Sequence, residues 1–308
     1  MTKTQLTIAT RESPLALWQA NWVKAKLLSL YPSLTIHLLG LTTQADRLPY
    51  VSLAEVGGKG LFVKELEEAL LDGRADLAVH SLKDMPAVMP PKLCLAAICE
   101  RETPSDVLIS TKYGRLVDVP AGEVIGTSSL RRQSQLLALR PDLQIKPLRG
   151  NVNTRLAKLD QGEYAGIILA AAGLQRLGLT DRIREYLTVD DFLPAAGQAA
   201  LGLECREDDL VTQQLLMQLN HDSTALCVHA ERAVCQRLGV GCHVPVAVLG
   251  VLDQDEIYLR GLVATTDGKR TLRAEVKVPK HLGIEAGIKV ADDLLAQGAD
   301  EILRSLDR

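Results

Sequence analysis

The sequence predicts an α/β protein: two similar α/β domains with a cleft between them, followed by a smaller C-terminal α+β domain. Three observations lead there. Short apolar runs alternate with amphipathic stretches through the first two hundred residues, the pattern of strands joined by helical crossovers. The composition turns polar around residues 99–105, and a second strand–helix series begins at Asp106. From about Asp222 the order changes to one helix, three alternating strands and a final helix. A chain of 308 residues, 47% of them hydrophobic, has the length and the apolar content for two or three separate cores.

In the first series, residues 6–9 read as a strand. The turn Thr10-Arg11-Glu12-Ser13-Pro14 leads into a helix from residue 15 to about residue 30, with Ser13 as its cap and Pro14 at its first position. Residues 35–41 form the next strand. The loop Val56-Gly57-Gly58-Lys59-Gly60 opens a helix over 61–71, and strands follow at 76–79 and 93–98. Helical crossovers imply a largely parallel, buried sheet. In the second series, strands begin at Asp106, Val124 and Ile145, a fourth spans 166–170, and the series ends near Phe192. The turn Ala171-Ala172-Gly173 enters a helix carrying Arg176. The apolar run 199–205 is expected to return the chain to the first sheet.

The domains are therefore placed at residues 1–99 with 200–218, at 105–194 and at 222–308. In open α/β sheets ligands bind beyond the strand C-termini, which locates the expected cleft. The third domain has a helix over 223–238 and a glycine-flanked loop over 239–244. Strands at 245–252, 257–264 and 271–278 and a helix from about 282 complete it.

Charge and composition exclude several classes. The chain has 35 basic and 38 acidic residues, and only 3% aromatics. That balance disfavours a nucleic-acid binder, which needs a basic surface or stacking platforms. No apolar stretch approaches a membrane span. The start Met1-Thr-Lys-Thr-Gln-Leu has no apolar segment of a secretion signal, so a cytoplasmic location is expected. The six cysteines are scattered, which favours reduced thiols. His221, Cys227, His229, Cys235, Cys242 and His243 lack metal-ligand spacing, and no metal is expected.

Arg131, Arg132 and Arg155 fall where helices should begin, with Arg149 just ahead of one. A cation there opposes the positive end of the helix dipole. The usual resolution is a bound anion held by free N–H groups, capping hydroxyls and guanidinium forks. Several such corners suit a ligand with several negative charges; solvated surface arginines are the alternative. Asp84 stands in a strand-to-loop turn beside Lys83. It is either a turn residue bonding its own backbone or a carboxylate that stabilises positive charge on a bound ligand. Cys242, in Gly239-Val240-Gly241-Cys242-His243-Val244-Pro245, lies in a permissive loop and is a candidate reactive or modified thiol. The loop at Gly57 lacks the spacing of a nucleotide-binding P-loop.

Six segments, in order along nearly the whole chain, resemble the porphobilinogen deaminase family. They are residues 9–16 (Ala-Thr-Arg-Glu-Ser-Pro-Leu-Ala), 57–62 (Gly-Gly-Lys-Gly-Leu-Phe), 79–86 (Val-His-Ser-Leu-Lys-Asp-Met-Pro), 126–132 (Gly-Thr-Ser-Ser-Leu-Arg-Arg), 149–155 (Arg-Gly-Asn-Val-Asn-Thr-Arg) and 241–245 (Gly-Cys-His-Val-Pro). The resemblance implies that the first two domains are periplasmic-binding-protein-like. It also implies a dipyrromethane cofactor joined by a thioether to Cys242. The activity implied is the joining of four porphobilinogen molecules head to tail, with loss of ammonia, into hydroxymethylbilane.

By resemblance and charge, carboxylate binding is expected from Arg11, Ser13, Ser81, Lys83, Thr127, Ser129, Arg131, Arg132, Arg149, Arg155 and Arg176. Asp84 is the expected catalytic group. Lys59, Phe62, Gly173 and Gln198 are candidate loop or ring contacts, Phe62 equally a core residue. The chain departs from the family pattern at Ala45, Glu55 and His243, where relatives often have Gly, Lys and Gln. Porphobilinogen is the expected partner, with no nucleic acid or membrane, and a monomer is expected. A polyanion-binding protein without catalysis is the alternative reading; it needs neither Asp84 nor Cys242.

Overall fold

The computed structural model describes residues 3–43, 63–241 and 244–307. The expectations for Ala45, Glu55, the glycine-rich loop with Lys59, Phe62, Cys242 and His243 lie outside the described residues. In chain order the strands are β1 (Gln5–Arg11), β2 (Thr35–Leu41), β3 (Leu77–Ser81), β4 (Leu93–Ile98), β5 (Asp106–Ile109), β6 (Val124–Gly126), β7 (Gln144–Lys146), β8 (Gly166–Ala170), β9 (Glu185–Tyr186), β10 (Leu201–Arg206), β11 (Val246–Asp253), β12 (Glu256–Ala264) and β13 (Thr271–Pro279). The helices are α1 (Pro14–Leu30), α2 (Lys64–Leu71), α3 (Leu130–Leu139), α4 (Val152–Asp160), α5 (Ala171–Arg176), α6 (Leu210–Met217), α7 (Asp222–Leu238), α8 (Gly283–Ala296) and α9 (Ala299–Arg304). The chain divides into two compact units, Met1–Glu102 with Ala199–Ala225, and Thr103–Gln198 with Leu226–Arg308.

The first unit holds a sheet in the order β2-β1-β3-β10-β4. Helix α1 starts as its sequence dictates: the Ser13 side chain accepts from the Ala16 N–H at 3.3 Å, and Pro14 takes the first position. Its buried positions, Gln19, Ala20, Val23 and Leu27, recur at helical spacing and face the sheet. One sheet face packs Leu6, Ile8, Leu77, Val79 and Leu203 with Val23 and Leu27; the other packs Ala9 and Ala78 with Leu66 and Leu70 of α2.

The largely parallel sheet that was expected is interrupted by one reversed strand. β1 is parallel to β2 and β3, but β10 is antiparallel to both of its neighbours, β3 and β4. The cause lies in the connection. A parallel strand requires a crossover that carries the chain back to the starting edge. Here the chain leaves the sheet at the end of β4 and re-enters beside it, with Gly202 opposite Ile98, so β10 must run the other way. The re-entry is tight: Gly197 and Ala199 have φ of 69° and 72°, and for alanine that left-handed conformation costs about 1 kcal/mol. β3 also extends past the expected 76–79, through His80 and Ser81.

The second unit repeats the plan in the order β7-β6-β8-β5-β9, with β6 parallel to β7 and β8, and β5 antiparallel to β8 and β9. It also contains an antiparallel sheet, β11-β12-β13, packed on α7 and α8 through Ala230, Val234, Val248, Leu259, Val290 and Leu294. Strand β9 and helix α6 have no counterpart in the sequence reading. Among the described residues, no helix is long and apolar enough to cross a membrane.

The contact of α7 with α8 depends on Gly287. A Cβ there would meet the Ala230 carbonyl oxygen and lie 2.6 Å from Ala233 Cβ. Gly287→Ala should therefore destabilise the protein by roughly 1–3 kcal/mol through overpacking, read as a lowered midpoint in urea. Gly114→Ala, with nothing within 4 Å of its new methyl, should leave the midpoint unchanged.

Candidate active site

In the first unit the chemistry gathers at the C-terminal edge of the parallel strands. β1 ends at Arg11 and its neighbour β3 at Ser81, so Arg11, Ser13, Ser81, Lys83 and Asp84 all belong to loops leaving one edge. Gln19, buried on α1, donates its amide to Ser81 Oγ at 2.9 Å and ties the two loops together. A single 3₁₀ turn, Leu82–Asp84, follows β3. The Leu82 N–H donates to the Ala200 carbonyl and the Met85 N–H to the Leu82 carbonyl, each at 3.1 Å. Leu82 and Met85 are buried, whereas Lys83 and Asp84 between them are half-buried. Among the described residues none donates a hydrogen bond to the Asp84 carboxylate. An aspartate serving its own turn would spend its oxygens on nearby backbone N–H groups. This one does not.

In the second unit three parallel strands, β7, β6 and β8, likewise end at one edge. The turns after β6 and β8 and the loop after β7 each lead into a helix. Ser129 caps α3, accepting from the Arg132 N–H at 3.4 Å, and Asn151 caps α4, accepting from the Thr154 N–H at 3.0 Å. Thr127 Oγ1 accepts from the Ser129 N–H at 3.2 Å. Ser128 Oγ donates to the Leu148 carbonyl and accepts its N–H, which locks the α3 corner to the loop before Arg149. Arg149 and Arg155 are half-buried, and Arg155 Nε donates to the Gly150 carbonyl at 2.8 Å. Gly173 lies in the first turn of α5, and Arg176 is buried at that helix's end. The edge thus brings together Thr127, Ser129, Arg149 and Arg155.

Arg131 and Arg132 are placed otherwise than a bare anion corner suggests. They are 4% and 5% exposed and enclose Asp106, which is fully buried. Arg132 reaches Asp106 Oδ1 through Nε at 3.0 Å and Nη2 at 2.7 Å, and Arg131 Nη1 lies 2.7 Å from Oδ2. Other bonds run from Arg131 to the Leu193 carbonyl at 2.7 Å and to Gln198 Oε1 at 3.5 Å, and from Arg132 to the Ile168 carbonyl at 3.0 Å. Gln198, read as a loop or ring contact, donates instead to Asp106 Oδ1 and the Pro104 carbonyl. Burial alone would raise the Asp106 carboxyl, but the two guanidiniums outweigh it and hold the pKa well below the usual carboxylate range. Two arginines against one aspartate leave the cluster with a net positive charge.

The sequence reading missed Asp106, Gln19, Ser128 and Asn151. Asp106 had a signal: a charged residue opening the apolar run Asp106-Val-Leu-Ile needs a buried partner.

Removing that charge should be costly. Asp106→Asn leaves two buried guanidiniums without a counter-ion and should destabilise the protein by about 3–5 kcal/mol, measured by urea unfolding at neutral pH. The sign with pH follows from the lowered pKa. The native state keeps Asp106 ionised where the unfolded chain would protonate it, so its contribution is full above about pH 4 and fades on acidification. The variant should accordingly show a shallower loss of stability with acid.

Residues 6–214 match the family model described as porphobilinogen deaminase, dipyrromethane cofactor binding domain, and residues 225–296 match porphobilinogen deaminase, C-terminal domain. Among solved structures, the chain is similar to the methionine binding protein MetQ at 14% identity and a TM-score of 0.44, covering 70% of this chain and 89% of that one. It is similar to the periplasmic VFT2 domain of BvgS from Bordetella pertussis, at 14% identity and 0.44, covering 70% and 86%. It is also similar to the periplasmic aliphatic sulphonate binding protein SsuA of Escherichia coli, at 16% identity and 0.39, covering 76% and 70%. With its two family models together spanning most of its length, the chain belongs to the porphobilinogen deaminase family.

Proposed function

We propose that the protein joins four porphobilinogen molecules head to tail, releasing ammonia at each step, and frees the product by hydrolysis with one water as hydroxymethylbilane. The observation that carries this beyond family membership is Asp84, a half-buried carboxylate at a strand C-terminus with no described donor bound to it. Loss of ammonia from porphobilinogen, pushed by the pyrrole nitrogen, leaves a cation. Asp84 stabilises that charge where it forms, and it takes a proton from the ring carbon after coupling. Each substrate brings an acetate and a propionate. Arg11, Ser13, Ser81 and Lys83 in the first unit, and Thr127, Ser129, Arg149, Arg155 and Arg176 in the second, bind these carboxylates. Each charge-assisted bond contributes about 1.5–3 kcal/mol net.

The second-unit edge suits a dipyrromethane, whose carboxylates call for hydrogen-bond donors and positive charge. Thr127, Ser129 and Arg149 would hold it beside the net-positive Arg131–Asp106–Arg132 cluster, and Cys242 would attach it by a thioether that does not turn over. When bound it supplies the ring carbon to which the first substrate is joined. The protein acts as a cytoplasmic monomer on this reading, with no metal.

The attachment is tested by intact mass. Purified protein should weigh more than its sequence by two porphobilinogen molecules less their ammonia, with the excess on the peptide containing Cys242. Fully active protein with an unmodified Cys242 would overturn the assignment. Asp84→Asn keeps the shape and removes the charge. Turnover should fall by about 10²–10³ with the unfolding midpoint unchanged, and near-parent turnover would return Asp84 to a structural role.

A further inference from the structure

Asp84 is presented by a turn that stands on one residue of another strand. Leu82 and Met85, on either side of Lys83-Asp84, are 2% and 4% exposed. A Cβ on Gly202 of β10 would lie 2.6 Å from Leu82 Cδ1, 2.7 Å from Met85 Sδ and 3.1 Å from Leu95 Cδ1. The absence of a side chain at Gly202 lets both anchors settle against the strand, and Ala200, two residues earlier, accepts the Leu82 N–H.

The same two strands carry a buried polar pair. Gly202 is opposite His80 in the ladder, and Glu204 lies two residues further along. His80 Nε2 is 2.8 Å from Glu204 Oε2, with the side chains 3% and 0% exposed. The other oxygen, Glu204 Oε1, is buried with no described partner. A carboxylate held this way costs stability relative to an apolar residue of similar size. Its charge reaches α2: burial, and then Glu204, push the Glu67 carboxyl up to about 7, with His80 opposing. A costly pair beside the Asp84 turn, on the strand that the turn rests on, is suited to fixing β3 against β10 where β3 ends.

We propose that Gly202 and the His80–Glu204 pair are positioning elements for Asp84, setting its turn against β10 so that turnover depends on atoms that never touch the substrate. This rests on the reading of Asp84 as the catalytic carboxylate. β10 then has two duties, closing the sheet and seating the turn.

The test compares Gly202→Ala, Glu204→Gln and Asp84→Asn, together with double variants that add Asp84→Asn to each of the others. Rates are expressed per molecule carrying the covalent adduct by intact mass, which removes any contribution from misfolded protein. Each positioning variant should lose about 10- to 100-fold in kcat, the scale of a small misplacement, with KM for porphobilinogen within about twofold. Since both act only through Asp84, each double variant should be no slower than Asp84→Asn alone. The proposal is overturned if the single variants turn over at the parent rate, or if their losses add to that of Asp84→Asn. Near-parent turnover of Asp84→Asn overturns the catalytic reading, and the proposal with it. Should Gly202→Ala not fold, the Glu204→Gln cycle decides alone.

Discussion

One buried carboxylate holds the second unit together. Asp106 opens β5, and around it meet the first turn of α3 through Arg131 and Arg132, the middle of β8 through Ile168, and the segment from Leu193 to Gln198. An ion in a dry interior is expensive, and it survives only where its partners are also fully hydrogen-bonded. Here almost every guanidinium donor has a carbonyl or carboxylate in reach. The arrangement fixes the α3 corner, and through Ser128 the loop before Arg149, so the fold itself sets the donors at this edge. Preorganised donors lose less entropy on binding.

The first unit solves a similar problem with shape. The Asp84 turn rests on other supports: Gln19 to Ser81, Ala200 to Leu82, and two apolar anchors. That division explains how Asp84 has no donor among the described residues, in a turn where aspartates usually bond their own backbone.

Much of this was legible. Ser13-Pro14 and Ser129 announce their helices because capping is local chemistry, and the core strands announce themselves by apolar runs. Arginines at helix starts do point to anions, but whether the anion is a ligand or an aspartate 25 residues upstream depends on the tertiary fold. For Arg131 and Arg132 the aspartate is there. Strand direction is equally invisible, because a buried strand reads the same whichever way it runs; β10 was expected in the first sheet, yet its antiparallel insertion follows from where the chain crosses. The bond of Gln198 to Asp106 is hidden for the same reason, since an amide in a crossing segment shows no periodicity that marks it as buried.

The interleaving of the chain also sets an order of assembly. β10 lies between β3 and β4, but about a hundred residues separate β4 from β10 along the chain. As the chain leaves the ribosome, β3 and β4 emerge early and face each other across a missing strand, with both edges unpaired. The second α/β sheet is synthesised in the interval. The first sheet can close only once residue 206 is free, so it finishes after the second α/β sheet although it begins first, and a nascent chain stalled before that point exposes two open strand edges to its neighbours.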